Sequence, residues 1–342
     1  MNERFNGIGR TVDHTMGKRV ATGCIHCHQG AKMVLFITGT CPRTCWYCPL
    51  SSQRKGHDIV YANEKPVRTP EESLVVAKKM GASGTGITGG EPLGRLDRVI
   101  TYATTLKEEF GKEHHIHLYT GCSPDGSVLR KLAGIVDELR MHPPVEYWSD
   151  ISRSSYREAA EMARDMGFEC GFEVPALPEV GDLLPALEFL DFLNINELEW
   201  GETNAPEMRR RALVPEDSVH NAVCGSRAWA SAISRHPNVH FCSSEYKDSV
   251  QLRKRLIRIA KNTARPFDEI TEDGTIVYAR IELSGEIPQA IKDLGEQMYE
   301  VREGGVETAG WVLLEREAPL GNARSIIERY PDRGIIVEVT PL

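Results

Sequence analysis

Three cysteines, Cys41, Cys45 and Cys48, fall within Thr40-Cys41-Pro42-Arg43-Thr44-Cys45-Trp46-Tyr47-Cys48-Pro49, spaced CxxxCxxC. The thiolate is the metal-binding form of cysteine, and three thiolates on one short loop can hold three corners of an iron–sulfur cube. The fourth iron is left to a ligand from outside the loop. Closed structural metal sites fill every position with protein, whereas catalytic ones keep a position open. A structural zinc site would show two separated pairs, and a redox CxxC needs no third cysteine. Interleaving with Pro42 and Arg43 makes a poor hydrophobic core. The spacing points to a cluster site with one open iron.

Two further groups bear on chemistry. Gly89-Gly90-Glu91-Pro92 is a glycine pair followed by an acid, where bare backbone lets carbonyls approach a small ammonium closely. Upstream, Cys24-Ile25-His26-Cys27-His28 has metal-ligand spacing. Two thiols are too few alone, but Cys242, in Phe241-Cys242-Ser243-Ser244, would reach the same side of the fold. A second metal site from Cys24, Cys27 and Cys242, holding an iron–sulfur cluster or zinc, is one reading. Free loop thiols with a core Cys242 is the other. Cys122 and Cys224 are further options, and Cys170 opens a strand as a buried thiol. Nine cysteines, an odd number in 342 residues, argue against a disulfide framework.

These groups need elements to hold them. Met33–Gly39 is a short apolar run ending in glycine, a buried strand signal, and the cysteine loop follows it directly. Thr69-Pro70 opens a helix over Glu71–Met80 that Gly81 stops. Further strands are expected at Gly84–Thr88, His115–Thr120, Val145–Ile151, Gly171–Val174, Leu193–Leu198 and Val239–Cys242. Helices are expected at Leu96–Phe110, Gly126–Leu139, Ser154–Met166, Leu183–Leu190, Val219–Ser234 and Lys247–Lys261. This alternation predicts a parallel sheet, either a partial (β/α)6-type barrel or an open doubly wound sheet. In both, functional loops lie at the C-terminal strand ends, where the cysteine loop and Gly89-Gly90-Glu91-Pro92 stand. Polar residues at other strand ends are candidates for the same pocket: Tyr119, Thr120, Asp150, Ser152, Arg153, Glu173, Asn194, Asn196 and Glu197.

After Asn262 the rhythm changes to βαββαβ, the ferredoxin-like split motif, with strands at Thr275–Leu283, Tyr299–Arg302, Thr308–Leu314 and Gly334–Val339 and helices at Pro288–Met298 and Asn322–Arg329. The expected organisation is an N-terminal extension over 1–32 with the cysteine pair, a barrel over 33–262 and a small α+β domain over 263–342. Met1–Arg19 lacks an apolar signal core and no apolar run reaches membrane-spanning length, which predicts a cytoplasmic protein. A net charge of −8 does not favour nucleic acid. Gln251–Lys261 is basic and amphipathic, and Arg209-Arg210-Arg211 adds local charge. Either could meet a phosphate backbone or an acidic redox partner, or be a solvated face. His115 and His117 share one strand face, where structural roles are expected.

CxxxCxxC with Tyr47 before the last cysteine, followed one helix later by Gly89-Gly90-Glu91, resembles the radical S-adenosylmethionine superfamily over roughly residues 33–262. The barrel section is similar to the group around pyruvate formate-lyase activating enzyme, especially archaeal relatives with a cysteine pair before the first strand. The resemblance implies that Cys41, Cys45 and Cys48 ligate a 4Fe–4S cluster whose open iron takes the amino and carboxylate groups of S-adenosylmethionine. It implies that Tyr47 contacts the adenine, and that Gly89, Gly90 and Glu91 receive the methionine amino group. It also implies a low-potential electron donor of ferredoxin or flavodoxin type, and a 5′-deoxyadenosyl radical that abstracts hydrogen from a substrate. The βαββαβ tail departs from the shorter activating enzymes, which leaves an RNA, a protein or a small metabolite open as substrate. The alternatives are a glycyl-radical-enzyme activase and a non-catalytic iron–sulfur or zinc module.

Overall fold

The computed structural model describes residues 20–315 and 323–342; the expectation drawn from Met1–Arg19 lies outside them. Its larger unit is a nine-stranded sheet. Seven strands run parallel: β1 (Lys32–Phe36), β4 (Gly84–Thr88), β5 (His115–Thr120), β6 (Glu138–Met141), β7 (Glu169–Pro175), β8 (Phe192–Asn196) and β9 (Val239–Cys242). A short antiparallel pair, β2 (Val60–Ala62) and β3 (Lys65–Val67), covers the outer edge of β1. The strand order is linear from β3 to β9, so the barrel is partial, with a seam between β1 and β9.

The crossovers carry local signals. In α2 (Pro70–Met80), the Thr69 side chain accepts from the Glu72 amide, and Gly81 closes the helix at φ 58°, where a side chain would be strained. In α4 (Gly126–Leu132), Asp125 accepts from the amides of Ser127 and Val128. The other crossover helices are α3 (Leu96–Phe110), α5 (Ser155–Asp165), α6 (Ala205–Arg210) and α7 (Ser226–Ser231). At the seam, α8 (Ser244–Tyr246) passes through a π turn (Lys247–Leu252) into α9 (Arg253–Thr263). Arg258 and Asn262 of α9 donate to the carbonyls of Met80, Gly81 and Lys79, satisfying the open end of α2.

The cysteine pair before β1 is helical rather than a loop. It lies in α1 (Thr22–His28), which plugs the N-terminal end of the barrel. The amides of Thr22 and Gly23 donate to Glu169 (3.2 Å) and Glu138 (2.7 Å), the first residues of β7 and β6. Free amides at a helix start suit carboxylates.

Two expectations fail around β6. The helix from Gly126 stops at Leu132, and Glu138–Met141 is a strand. Glu138 and Arg140 both point inward and are ion-paired there, which breaks the apolar pattern of a buried strand. Pro143 and Pro144 end it, and the expected strand at Val145–Ile151 is a 3-10 turn over Val145–Arg153. The expected helices at Leu183–Leu190 and Val219–Ser234 also differ: a 3-10 segment spans Pro178–Glu188, and only Ser226–Ser231 is helical in the second.

The smaller unit contains β10 (Glu269–Ile270), β11 (Ile276–Glu282), α10 (Gln289–Lys292), β12 (Tyr299–Arg302), β13 (Gly305–Thr308), α11 (Trp311–Glu315), β14 (Ala323–Arg329) and β15 (Ile336–Pro341). Its sheet order is β12-β13-β11-β14-β15, all antiparallel. The first four have the order and directions of the split βαβ motif. The second helix is α11, not Asn322–Arg329: Ala323–Arg329 is strand β14, and the expected strand at Thr308–Leu314 is the end of β13 followed by α11. Lys65 and Lys79 of the barrel both pair with Asp332, tying the two units together. No helix among the described residues is long and apolar enough to cross a membrane.

Candidate active site

The cysteine loop and the glycine pair are laced together by backbone. The Gly90 amide donates to the Thr38 carbonyl (2.6 Å), and the Glu91 amide to that of Thr40 (2.9 Å). A Cβ at Gly89 would stand 2.6 Å from the Thr38 oxygen, and one at Gly90 2.8 Å from that of Gly39, so this approach requires glycine. From the far side, Asn204 donates to the Tyr47 carbonyl (3.1 Å) and Thr203 to those of Cys48 (3.2 Å) and Leu50 (2.6 Å). Arg211 stacks on Trp46 at 4.3 Å, so part of the basic run at 209–211 braces this loop.

Glu91 is buried, and its carboxylate accepts from Thr120 Oγ1 (2.7 Å) and the amides of Gly121 (2.7 Å) and Leu93 (3.0 Å). It joins the loops after β4 and β5. Arg43 donates from one guanidinium nitrogen to Tyr156 (2.6 Å), while Nη1 is buried without a partner. The Tyr47 hydroxyl meets His142 Nε2 at 2.9 Å, and His142 Nδ1 lies 2.8 Å from the Glu173 carbonyl. Burial raises the Tyr47 phenol, which stays neutral.

These loops enclose a cavity of about 450 Å³ at the C-terminal strand ends. Cys41, Cys45, Cys48, Tyr47, Gly89, Gly90 and Glu91 all line it, as do Tyr119, Thr120, Glu173, Asn196 and Glu197. Asn194 lies one layer deeper, on an adjoining cavity of about 210 Å³. Asp150 does not belong to the site: it sits in the 3-10 turn, largely exposed, 3.9 Å from Arg153. Its assignment rested on the strand that this turn replaces. Ser152 and Arg153, in the same turn, are also absent from the cavity wall.

Beneath the cavity is a charged network. Arg140 pairs with Glu138 and with Glu173 (2.5 Å) and donates to the Tyr119 oxygen (3.1 Å). Asn194 and Asn196 donate to the two oxygens of Glu173 (3.2 and 2.9 Å). Burial opposes ionisation of Glu173, but Arg140 and the two amides hold its carboxyl down at about 2. Cys24 accepts from Arg140 (3.5 Å) and Asn194 (3.3 Å), and its burial pushes the thiol up to about 12. Cys27 donates to Gln251 (2.8 Å), and Gln251 Nε2 lies 3.7 Å from Cys242, whose thiol burial raises to about 11. All three sulfurs of the expected second metal site thus line the 210 Å³ cavity.

Among the described residues, His115, His117 and Glu138 are the ligand-type side chains whose donor atoms lie within 4.8 Å of one another. Glu138 is already committed to Arg140 and the Gly23 amide, and both ring nitrogens of the buried His117 lack partners. Several charges of Gln251–Lys261 are paired within the protein: Arg255 pairs with Glu64 (2.6 Å), and Lys254 donates to the His28 carbonyl (2.9 Å).

Arg43, Arg140, His142 and Lys247 were not anticipated. His142 is the first residue after β6, so the misplaced strand hid it. Arg43 stood in plain sight within the cysteine motif. Arg140 fell just past the expected helix Gly126–Leu139, outside any expected element, and Lys247 at the first position of the expected helix Lys247–Lys261, with no periodic signal marking either as inward.

The cysteine loop, the glycine–acid loop and the cavity between them agree with what comparison with known proteins finds. Residues 35–190 match the family described as Radical SAM superfamily, and residues 274–342 one described as a domain of unknown function (DUF8061). A protein of Methanocaldococcus jannaschii named "Putative glycyl-radical enzyme activating enzyme MJ0021" is 38% identical over 279 residues, covering 76% of this chain and 72% of that protein. The chain belongs to the radical S-adenosylmethionine superfamily and is an enzyme of that class. Among solved structures, SuiB of Streptococcus suis bound to the precursor peptide SuiA is 12% identical, covering 71% of this chain and 53% of its own, with a TM-score of 0.41. The methyltransferase TsrM of Kitasatospora setae, with cobalamin and a [4Fe-4S] cluster bound, is 10% identical, covering 68% and 60%, with a TM-score of 0.40. The chain spans only half to three-fifths of these structures, and the likeness identifies neither substrate nor reaction.

Membership implies a 4Fe–4S cluster and S-adenosylmethionine. The residues present fit them: three thiols on one loop, a glycine cradle that a Cβ would fill, and an unpartnered guanidinium nitrogen on the cavity wall.

Proposed function

We propose that Cys41, Cys45 and Cys48 hold the cluster, and that the 450 Å³ cavity holds S-adenosylmethionine against it. The observation that carries this reading is the convergence of the three thiols with Gly89, Gly90 and Glu91 on one cavity wall. When bound, the two groups supply reductive cleavage of the sulfonium and a 5′-deoxyadenosyl radical that takes hydrogen from the substrate. The protein's part is positional. Gly89 and Gly90 give the methionine end close backbone. Glu91 ties that loop to the next one, which fixes the approach of the ammonium. Tyr47 is held by His142 so that its ring closes one side of the cavity. Glu173, ionised and shared by two asparagines and Arg140, forms the floor on which the nucleoside would rest. A closed interior keeps a radical from reacting with solvent.

Under anaerobic conditions with dithionite, the protein should convert S-adenosylmethionine to 5′-deoxyadenosine and methionine. An intact cluster without cleavage would sink this reading. Cys41 is exposed, so the electron is expected from a docked ferredoxin or flavodoxin-type donor. The name of the M. jannaschii relative points to a protein substrate, a glycyl-radical enzyme.

A second metal on Cys24, Cys27 and Cys242 is the lesser reading, favoured by their convergence on one cavity and opposed by Arg140 and Lys32 on its wall. Iron and zinc content in the Cys24→Ala/Cys27→Ala variant decides it. A drop relative to the parent chain supports the second site, and unchanged content rejects it.

A further inference from the structure

Where α1 meets the sheet, beneath the charged floor, the interior holds polar atoms that the protein itself does not satisfy. Both ring nitrogens of His117 and Nδ1 of His115 are buried without a hydrogen-bond partner. His117 is fully buried, and its ring sits between two glycines: a Cβ at Gly23 would collide with Nδ1, and one at Gly86 with Nε2. A buried imidazole with neither nitrogen bonded is costly, yet side chains are absent on both sides to admit it.

The strand register brings a third group to the same place. His117 and Glu138 are direct partners across β5 and β6, and His115 lies two residues back on the same face of β5. All three are buried, and their ligand atoms lie within 4.8 Å of one another. Glu138 Oε2 stands 3.4 Å from His115 Nε2. Two atoms bound at about 2.0–2.1 Å to a tetrahedral zinc ion stand about 3.3 Å apart, so this pair already has the spacing of a ligand edge. Arg140 takes Oε1 of Glu138, but Oε2 accepts the Gly23 amide (2.7 Å) and keeps a second lone pair. Metal-binding carboxylates are themselves hydrogen-bonded in this way.

Charge and protonation agree with a cation. Burial lowers both histidines, His115 to about 4, so their rings are neutral and offer lone pairs at neutral pH. Three carboxylates, Glu138, Glu169 and Glu173, stand around them against two cations, Arg140 and Lys32, while Asp137 is paired with Lys107 (2.7 Å). The balance is one negative charge.

We propose that His115, His117 and Glu138 bind a zinc ion, in a structural site separate from the cysteine loop and from Cys24, Cys27 and Cys242. Two imidazoles and a carboxylate suit zinc better than magnesium or calcium, which take oxygen ligands. The ion fastens β5 to β6 directly under α1. It also fixes Glu138, the partner of Arg140, and through Arg140 the Glu173 floor of the upper cavity. Nothing in this inference depends on the radical chemistry.

The test uses the full chain with its cluster loaded, purified from zinc-supplemented medium and desalted. Metal analysis should give about one zinc ion per chain. X-ray absorption at the zinc edge, which iron does not obscure, should show nitrogen and oxygen ligands without sulfur. His117→Leu should lose the zinc, while Cys24→Ala/Cys27→Ala should keep it. A parent chain without zinc, or unchanged zinc in His117→Leu, overturns the proposal. So does a sulfur-containing shell, which assigns the ion to cysteines. These measurements on the parent chain decide the matter even where His117→Leu does not fold. Where it folds, stability separates the two roles by sign. Leucine in place of a merely unbonded ring would leave the urea midpoint unchanged or raise it. Leucine in place of a ligand should lower the midpoint of the zinc-loaded chain and abolish its fall on chelation. Failure of 5′-deoxyadenosine formation with zinc retained bears on the radical reading alone.

Discussion

At the C-terminal strand ends the protein leaves its chemistry incomplete. Three thiols face a cavity, a guanidinium nitrogen lacks an acceptor, and glycines leave bare backbone. At the opposite end α1 closes the barrel, Glu138 and Glu169 accept its first amides, and Arg140 is shared between two carboxylates. Both regions are rich in polar groups: at the α1 end the carboxylates and Arg140 are paired within the protein while the ring nitrogens of His117 are not, and at the other end the unpaired groups face a cavity. Parallel barrels generally separate stability and function along the strand axis in this way. Here the division should be visible in mutants.

The sharpest contrast is between Cys45→Ala and Arg140→Met. The first should reduce 5′-deoxyadenosine below detection while leaving the urea midpoint unchanged. The second removes the partner of two buried acids and should cost about 3–5 kcal/mol of stability, read from urea unfolding. A midpoint unmoved by Arg140→Met would break the comparison, because the floor would then not depend on its ion pairs.

Acid unfolding sharpens the same point. The Glu173 carboxyl is depressed from 4.5 to about 2, about 3 kcal/mol of stability by linkage. Because the folded value is the lower one, that stability is fully present above the unfolded value, near 4.5. It is lost as pH falls from there toward 2. Glu173→Gln should therefore flatten the dependence of unfolding free energy on pH between about 5 and 2. An unchanged slope would mean that other carboxylates carry it.

His142→Phe should have a smaller effect. It deletes the link from Tyr47 to the Glu173 carbonyl, at about 1 kcal/mol for the lost hydrogen bonds. Cluster iron should remain, while affinity for S-adenosylmethionine weakens several-fold. Loss of iron instead would place His142 in the support of the cysteine loop.

The residues that were legible in the sequence and those that were not divide along the same axis. Cys41, Cys45, Cys48, Gly89 and Gly90 could be found because their chemistry depends on spacing within one loop, which a linear string preserves. Arg140 could not, because its role arises from pairing β6 with β7 and from α1 folding under both. The expected helix Gly126–Leu139 ran over the start of β6, and the next strand was placed at Val145–Ile151, several residues beyond its true position. In the small domain, Ala323–Arg329 has alternating charges and paired isoleucines that fit either period. Only its pairing with Tyr278 and Ala279 of β11 makes it a strand. Local spacing survives in sequence, while tertiary pairing of charges reads as noise.

Asp150 gives the smallest expected effect and the cleanest check of that lesson. It was assigned to the cofactor pocket by its place at the end of an apolar alternation, yet that alternation forms a 3-10 turn whose Trp148 and Ile151 are buried while Asp150 points to solvent. It lies 3.9 Å from the exposed Arg153, a surface contact worth little. Asp150→Asn should leave stability within about 0.5 kcal/mol and 5′-deoxyadenosine formation unchanged. A large loss of cofactor cleavage would show that the turn swings onto the cavity during turnover. The incomplete end of the barrel would then extend beyond the residues that now enclose it.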